Sequence, residues 1–64
     1  MRETELWSNL GAVLGAGYAP IWADSVVHAG LGGRTVVQAL AAGVPVRQIW
    51  LAACANLEVP EHLR

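Results

Sequence analysis

The residues that could perform chemistry are few, and they are spread along the chain. Asp24 and His28 lie four residues apart with Ser25 between them, a spacing that we interpret as an ordinary exposed pair on a helix. Cys54 lies in an alanine-rich run, where a free cysteine usually behaves as a small hydrophobic side chain. An activated thiolate needs a nearby histidine or a helix N-terminus, and no pattern requires His62 to fold back toward it. We therefore expect no enzyme, and the reactivity of Cys54 stays open.

Metal and cofactor sites are not predicted either. The chain has one cysteine and two histidines, far apart in sequence, whereas a structural zinc site typically uses four ligands. The glycine-rich stretch 30–35 leads into a helix, as phosphate-binding loops do. No strand is predicted before it, and a chain without lysine lacks the Walker lysine. We expect no metal and no cofactor, and we interpret these glycines as a turn before a helix cap.

The composition is that of a small folded domain. The 64 residues, which we treat as the single domain 1–64, are 55% hydrophobic and 14% charged, with a net charge of −1. A disordered chain shows the opposite balance, and so small a net charge gives no general attraction to nucleic acid or to acidic membranes. One cysteine excludes an internal disulfide.

Targeting signals and membrane spans are not predicted. The first five residues carry two acids where a secretory signal would be basic. The stretch 6–23 is uncharged, but glycines and Pro20 interrupt it before it reaches the length of a spanning helix. We therefore expect a cytoplasmic protein with no membrane contact.

Glycine and proline divide the chain into four short helices, and no convincing strand is predicted. Thr4 is the expected N-cap of the first helix. The paired valines at 26–27 and 36–37 fall in helical rather than alternating patterns. The expected fold class is all-α, a compact bundle of four short helices. The predicted helices cover about 5–14, 18–29, 35–42 and 45–57, with one further turn at 60–63.

A helix-turn-helix-like corner is predicted between helices 3 and 4. Ala39 is small enough for a helix crossing, Gly43 follows it at the turn, and Val44 and Ile49 are placed to bury the second helix. DNA binding does not follow from this pattern, because Arg47 is the only basic residue on the outward side of that helix. Nucleic acid is therefore an unlikely partner.

The fourth helix carries no charge from Gln48 to Leu57. A helix that is apolar nearly all round is normally buried, and a domain of four short helices cannot easily surround one of its own helices. We therefore expect a protein partner or a homo-oligomer, and a role as a protein-interaction or adaptor module. The alternative is a DNA-associated accessory protein that uses the corner. The outward residues Arg47, Trp50 and Leu51 are candidate partner contacts.

Short motifs along nearly the whole chain also form a familiar pattern. They are Thr4-Glu5-Leu6-Trp7, Trp22-Ala23, Leu31-Gly32-Gly33-Arg34-Thr35, Ala39-Leu40, Gly43, Trp50, Cys54 and Val59-Pro60. The pattern resembles a family of short actinobacterial domains of unknown function, whose genes often lie near those for RecA and its regulator RecX. The resemblance implies an all-α cytoplasmic protein and supplies no activity. It adds Arg34 to the candidate partner contacts.

Overall fold

The structure, a computed structural model, describes residues 1–57. This part of the chain forms four helices and a small hairpin. A 3-10 turn, Ala29–Leu31, joins the two strands of the hairpin. The compact arrangement of four helices is confirmed, but the chain is not strictly all-α because of the hairpin. In chain order the elements are α1 (Glu3–Leu14), α2 (Ala19–Ser25), β1 (Val27–His28), β2 (Arg34–Thr35), α3 (Val36–Ala41) and α4 (Val46–Asn56).

The hairpin replaces the predicted second half of α2. This helix ends at Ser25 instead of residue 29, and the chain then pairs Val27 with Thr35 and His28 with Arg34 in antiparallel register. Glycines 32 and 33, with φ of 68° and 79°, reverse the chain between the strands. β-branched valines suit an extended backbone once a second strand is available to pair with them.

The predicted exposed helix pair of Asp24 and His28 is therefore wrong. His28 lies on β1 and is only 1% exposed, whereas Asp24 stays on the surface of α2.

Helix α3 begins with a capping box. The Thr35 hydroxyl oxygen accepts a hydrogen bond from the Gln38 amide (3.1 Å), and the Gln38 side-chain oxygen accepts one from the Thr35 amide (3.0 Å). Thr4, in contrast, is not the cap of α1, since this helix already begins at Glu3.

A Schellman motif ends α3. The Val44 amide donates to the Ala39 carbonyl (3.1 Å) and the Gly43 amide donates to the Leu40 carbonyl (3.2 Å). Gly43 has φ of 81°, a left-handed conformation that costs glycine little. The motif produces the tight turn from α3 into α4 that the spacing of Ala39 and Gly43 predicts.

Helix α4 is the centre of the core. Its side chains Ile49, Trp50 and Ala53 are at most 2% exposed, and the helix packs against α1, α3, β1 and the 3-10 turn. The 3-10 turn lies close to α4, because a Cβ added at Gly30 would lie 3.3 Å from the Cβ of Ala52. The domain therefore encloses one side of α4 and does not surround the helix, since Leu51 on its other side stays 51% exposed.

No helix within residues 1–57 has both the length and the apolar character needed to cross a membrane.

The two threonines provide a matched test of this fold. Thr35→Ala should lower the free energy of unfolding by about 1 kcal/mol, because the α3 cap is lost. Thr4→Ala should leave it unchanged or slightly higher, since alanine has the higher helix propensity and Thr4 is exposed inside the first turn of α1. Urea denaturation of both variants measures the difference, and equal losses would contradict the assigned caps.

Candidate functional site

Three of the four candidate contact residues lie at the surface. Arg34 on β2 and Arg47 on α4 are exposed, and Leu51 is 51% exposed. Trp50 is only 2% exposed, because it lies on the side of α4 that faces the core. Trp50 is therefore a core residue in this fold and not a surface contact.

The outer side of α4 is mixed in character. Arg47, Leu51 and Ala55 follow one another at intervals of four residues and are all exposed, with Gln48 beside them. This side therefore offers one cation and one large apolar side chain.

A larger apolar feature lies between α1 and α2. It is an open groove of about 430 Å³, and its lining is almost entirely apolar. Ser8 supplies the only hydroxyl group of the lining side chains. The groove is lined by Trp7, Ser8, Gly11, Ala16, Ala19 and Pro20.

Small side chains create the groove. Gly11 has none, and a Cβ added there would come no closer than 3.8 Å to the nearest neighbouring atom, the Cα of Ala16. Helix α1 ends where the Gly15 amide donates to the Gly11 carbonyl (2.8 Å), and the chain then reverses into α2. The groove therefore follows from the small residues on both sides of this reversal.

Large apolar side chains lie on the wall of the groove and next to its lining residues in the sequence. Trp7 lines it and is partly exposed, whereas Trp22 and Trp50 are buried. Tyr18 (51% exposed) and Ile21 (59% exposed) immediately precede and follow the lining residues of α2. Trp7 is thus the one tryptophan of the three that the fold offers to a ligand.

Sequence reasoning missed this groove. From the sequence, the glycines of the uncharged stretch 6–23 are interpreted only as interruptions that keep it shorter than a membrane-spanning helix. The available signal was that uncharged stretch itself, combined with small residues at positions 11, 16 and 19.

A second unusual site is the buried imidazole of His28. Its Nδ1 lies 2.6 Å from the side-chain nitrogen of Asn56, the last residue of α4. Its ring centroid is 5.1 Å from that of Trp22, with the planes tilted by 54°. Nε2 is buried and has no hydrogen-bond partner among the described residues.

The environment of His28 favours the neutral ring. With the Asn56 amide donating to Nδ1, the proton of the neutral imidazole is on Nε2. Burial disfavours the charged form and lowers the pKa of His28 below its ordinary value of 6.5. The ring therefore links the hairpin to the end of α4 as a neutral group.

The sequence singles out four side chains within residues 1–57 as possible nucleophiles or bases, and two of them are buried. His28 is enclosed by the core, and Cys54 is buried on α4. Asp24 and Ser25 are exposed on α2, and the Ser25 hydroxyl donates to the Ile21 carbonyl of its own helix (2.7 Å). No cluster of three or more potential metal-ligating side chains occurs in this part of the chain.

Fold and groove together define a small, mostly helical domain with an exposed apolar groove. The chain belongs to the family described as "Protein of unknown function (DUF3046)", whose model matches residues 1–62. The predicted resemblance to a family of unknown function is thereby confirmed, while the actinobacterial origin and the gene neighbourhood stay predictions. No curated protein and no solved structure matches the chain.

The buried histidine predicts a pH-dependent stability. Because the pKa of His28 is lowered by folding, the unfolded chain binds a proton more readily than the folded protein. The free energy of unfolding should be highest at neutral pH and should fall as the pH drops below about 6.5 toward the lowered pKa. Urea denaturation between pH 7.5 and about pH 5 measures this loss.

Two glutamine substitutions separate the two histidines. In His28→Gln the loss of unfolding free energy between about pH 7 and about pH 5 should largely disappear, whereas in His62→Gln this loss should persist. The assignment to His28 fails if the two variants show the opposite pattern.

The contact between Asn56 and His28 predicts that a substitution at Asn56 shifts the pKa of His28. Asn56→Asp places a carboxylate beside Nδ1, which favours the charged imidazole and should raise the pKa of His28. Gln48→Glu adds the same charge on the exposed side of α4 and is the matched control. Titration of the His28 ring protons by NMR measures both, and equal shifts would exclude a direct contact.

Proposed function

We propose that this chain is a protein-interaction module that binds an apolar segment of a partner protein in the groove between α1 and α2. The observation that carries this proposal is an open apolar groove of about 430 Å³ with the partly exposed Trp7 on its wall. Tryptophan and tyrosine are enriched among the residues that contribute most to protein interfaces.

The lining favours a protein segment over a small metabolite. Sites for small molecules combine apolar walls with a few polar groups that fix the orientation of the ligand. Here the Ser8 hydroxyl and the Trp7 indole N–H are the only polar groups of the lining side chains. An open, nearly apolar groove instead suits bulky apolar side chains, as in the docking of an amphipathic helix.

The charge distribution supports an apolar contact. The stretch 6–23, which contributes every lining residue, has no charged side chain. A partner held mainly by ion pairs would therefore find no counter-charge within it. Binding should depend on the apolar area buried, about 25 cal/mol per Å².

The role proposed is binding without catalysis. The burial of both His28 and Cys54 supports this, because a substrate at the surface would not reach either side chain in this fold. The cytoplasmic location stays a prediction.

Arg47 and Leu51 on α4 form the second candidate surface for a partner, and Arg34 on β2 is a further exposed candidate. Arg47 and Leu51 are one turn apart on α4, so a contact there would combine one ion pair with one apolar side chain. The groove is the stronger candidate, since it offers a concave site with a partly exposed tryptophan.

The alternative function is a DNA-associated role. The tight turn between α3 and α4, with Gly43 at its centre, favours it. Against it, the outer side of α4 has Arg47 as its only basic residue, and phosphate contacts supply most of the affinity of such proteins. Titration of duplex DNA at low salt tests this alternative, which is excluded if no binding occurs there.

Filling the groove tests the main proposal. Gly11→Met should occupy the groove and should leave the fold intact, because the position has free space and methionine has a higher helix propensity than glycine. Ala12→Met places the same side chain on the exposed surface of α1, outside the groove. Each immobilised protein is exposed to an extract of the source organism, and the retained proteins are identified by mass spectrometry.

The expected result is a defined protein that the wild type and Ala12→Met retain and that Gly11→Met does not. Circular dichroism confirms that each variant is folded. Retention that is equal for all three proteins, or absent for all three, would overturn binding through the groove.

A further inference from the structure

The two polar groups that line the groove make no hydrogen bond within the part of the chain that the structure describes. The indole N–H of Trp7 has no partner among residues 1–57 and is not enclosed, so it reaches solvent. The Ser8 hydroxyl has no partner there either, whereas the Ser25 hydroxyl, also exposed on a helix, donates to the Ile21 carbonyl (2.7 Å). The groove therefore offers two unused hydrogen-bond donors in an otherwise apolar lining.

An occupant of the groove must supply acceptors for these donors, because a donor that loses water without gaining a partner costs free energy. An amphipathic helix uses its backbone carbonyls in its own hydrogen bonds, and its apolar side chains have no acceptor. An extended segment in the polyproline II conformation has no internal hydrogen bonds, so its carbonyls are free. Of the apolar segments that the groove could hold, the extended one therefore matches the lining better.

Proline suits this lining for a second reason. A proline-rich segment brings carbonyl acceptors and few N–H donors, because proline has no backbone N–H. The side chains of the groove offer donors and, apart from the Ser8 hydroxyl oxygen, no acceptor. Proline-rich segments dock in grooves with aromatic walls, where their conformation is fixed before binding, and Trp7 supplies such a wall here.

The side of α1 that lines the groove continues to a carboxylate. Glu3, Trp7 and Gly11 follow one another at intervals of four residues, so all three lie on the same side of the helix. Glu3 is exposed and forms no ion pair with any residue in the range 1–57. Arg2, in contrast, precedes the buried Leu6 by four residues and so lies toward another side of α1. A cation on the occupant would therefore find a counter-charge next to the apolar lining.

We infer that the groove binds a proline-rich, extended segment of a partner protein that carries a lysine or arginine next to its prolines. This inference rests on the proposed function of the groove and names the class of occupant. The Trp7 indole N–H and the Ser8 hydroxyl donate to backbone carbonyls of the segment. Its prolines pack on the Trp7 ring and fill the recess beside Gly11, and its basic residue pairs with Glu3.

Three synthetic peptides of about 15 residues, a length at which an isolated helix can form, test the inference on the full chain. The first contains proline and leucine with a terminal lysine, the second has glutamine in place of this lysine, and the third is an amphipathic helix of leucine and alanine with the same lysine. Each is titrated to about 1 mM, the range of weak dissociation constants, into the isotope-labelled protein and followed by NMR. The first peptide should shift the indole N–H signal of Trp7 strongly and those of the buried Trp22 and Trp50 little.

The two glutamates in the first turn of α1 provide a matched pair for the charge. The wild type should bind the lysine peptide about threefold more tightly than the glutamine peptide, a ratio typical of one exposed ion pair. Glu3→Gln should abolish this preference. Glu5→Gln should retain it, because Glu5 lies about 200° around the helix from Trp7. A preference that survives Glu3→Gln would contradict the pairing with Glu3.

Two further variants test the groove itself. Trp7→Phe keeps an aromatic ring and removes the N–H, so it should weaken the binding of the first peptide about fivefold, the effect of one hydrogen bond. Gly11→Met fills the recess and should abolish the binding. Backbone amide signals report the affinity of both variants, and circular dichroism establishes that each is folded.

The inference is overturned if the helical peptide binds in preference to both proline peptides, or if neither proline peptide binds at about 1 mM. Equal binding to the wild type and to Gly11→Met would also overturn it, because the peptide would then bind elsewhere. In each case, groove-dependent retention of a protein from the extract would leave the proposed function standing. If that retention is absent as well, the proposed function fails too.

Discussion

The burial of one side of α4 is the constraint on which the rest of this structure depends. Ile49, Trp50 and Ala53 are almost fully buried. Helices α1 and α3, strand β1 and the 3-10 turn all pack against α4. A chain of 64 residues can bury only about 60% of the surface that it exposes when unfolded. Because the core is so small, α1, α3 and the hairpin are all needed to cover α4. The outward surface of the turn between α1 and α2 therefore remains exposed among the residues that the structure describes.

Much of the helical framework could be predicted from the sequence because its signals are local. The capping box of Thr35 and Gln38 and the glycine that ends α3 each act within a few residues. The hairpin could not be predicted in this way. The segment 26–28 fits a helical pattern by itself, and only its pairing with Arg34 and Thr35 decides that it is extended. Such pairing depends on tertiary context, which overrides local propensity.

The candidate site illustrates the same limit. Arg47 and Leu51 are exposed as predicted, but Trp50 between them faces the core, because the buried stripe of α4 includes positions 49, 50, 53 and 54. An error of one residue in the assumed orientation of a helix moves a side chain by 100° around its axis. The groove could not be predicted from the sequence for a different reason. It forms where small residues of two helices come together, and no single segment contains its pattern.

The link between His28 and Asn56 also has a kinetic meaning. It joins residues 28 positions apart, nearly half of the chain, whereas the turn from α3 to α4 is closed by hydrogen bonds that span five residues or fewer. Short loops close at a smaller entropic cost than long ones, and contacts that are local in sequence favour rapid folding. The α3–α4 pair is thus suited to form early, with docking of the hairpin onto the end of α4 as a late step. A contact that forms late stabilises the native state mainly by slowing its unfolding, so the link between His28 and Asn56 would act on the unfolding rate more than on the folding rate.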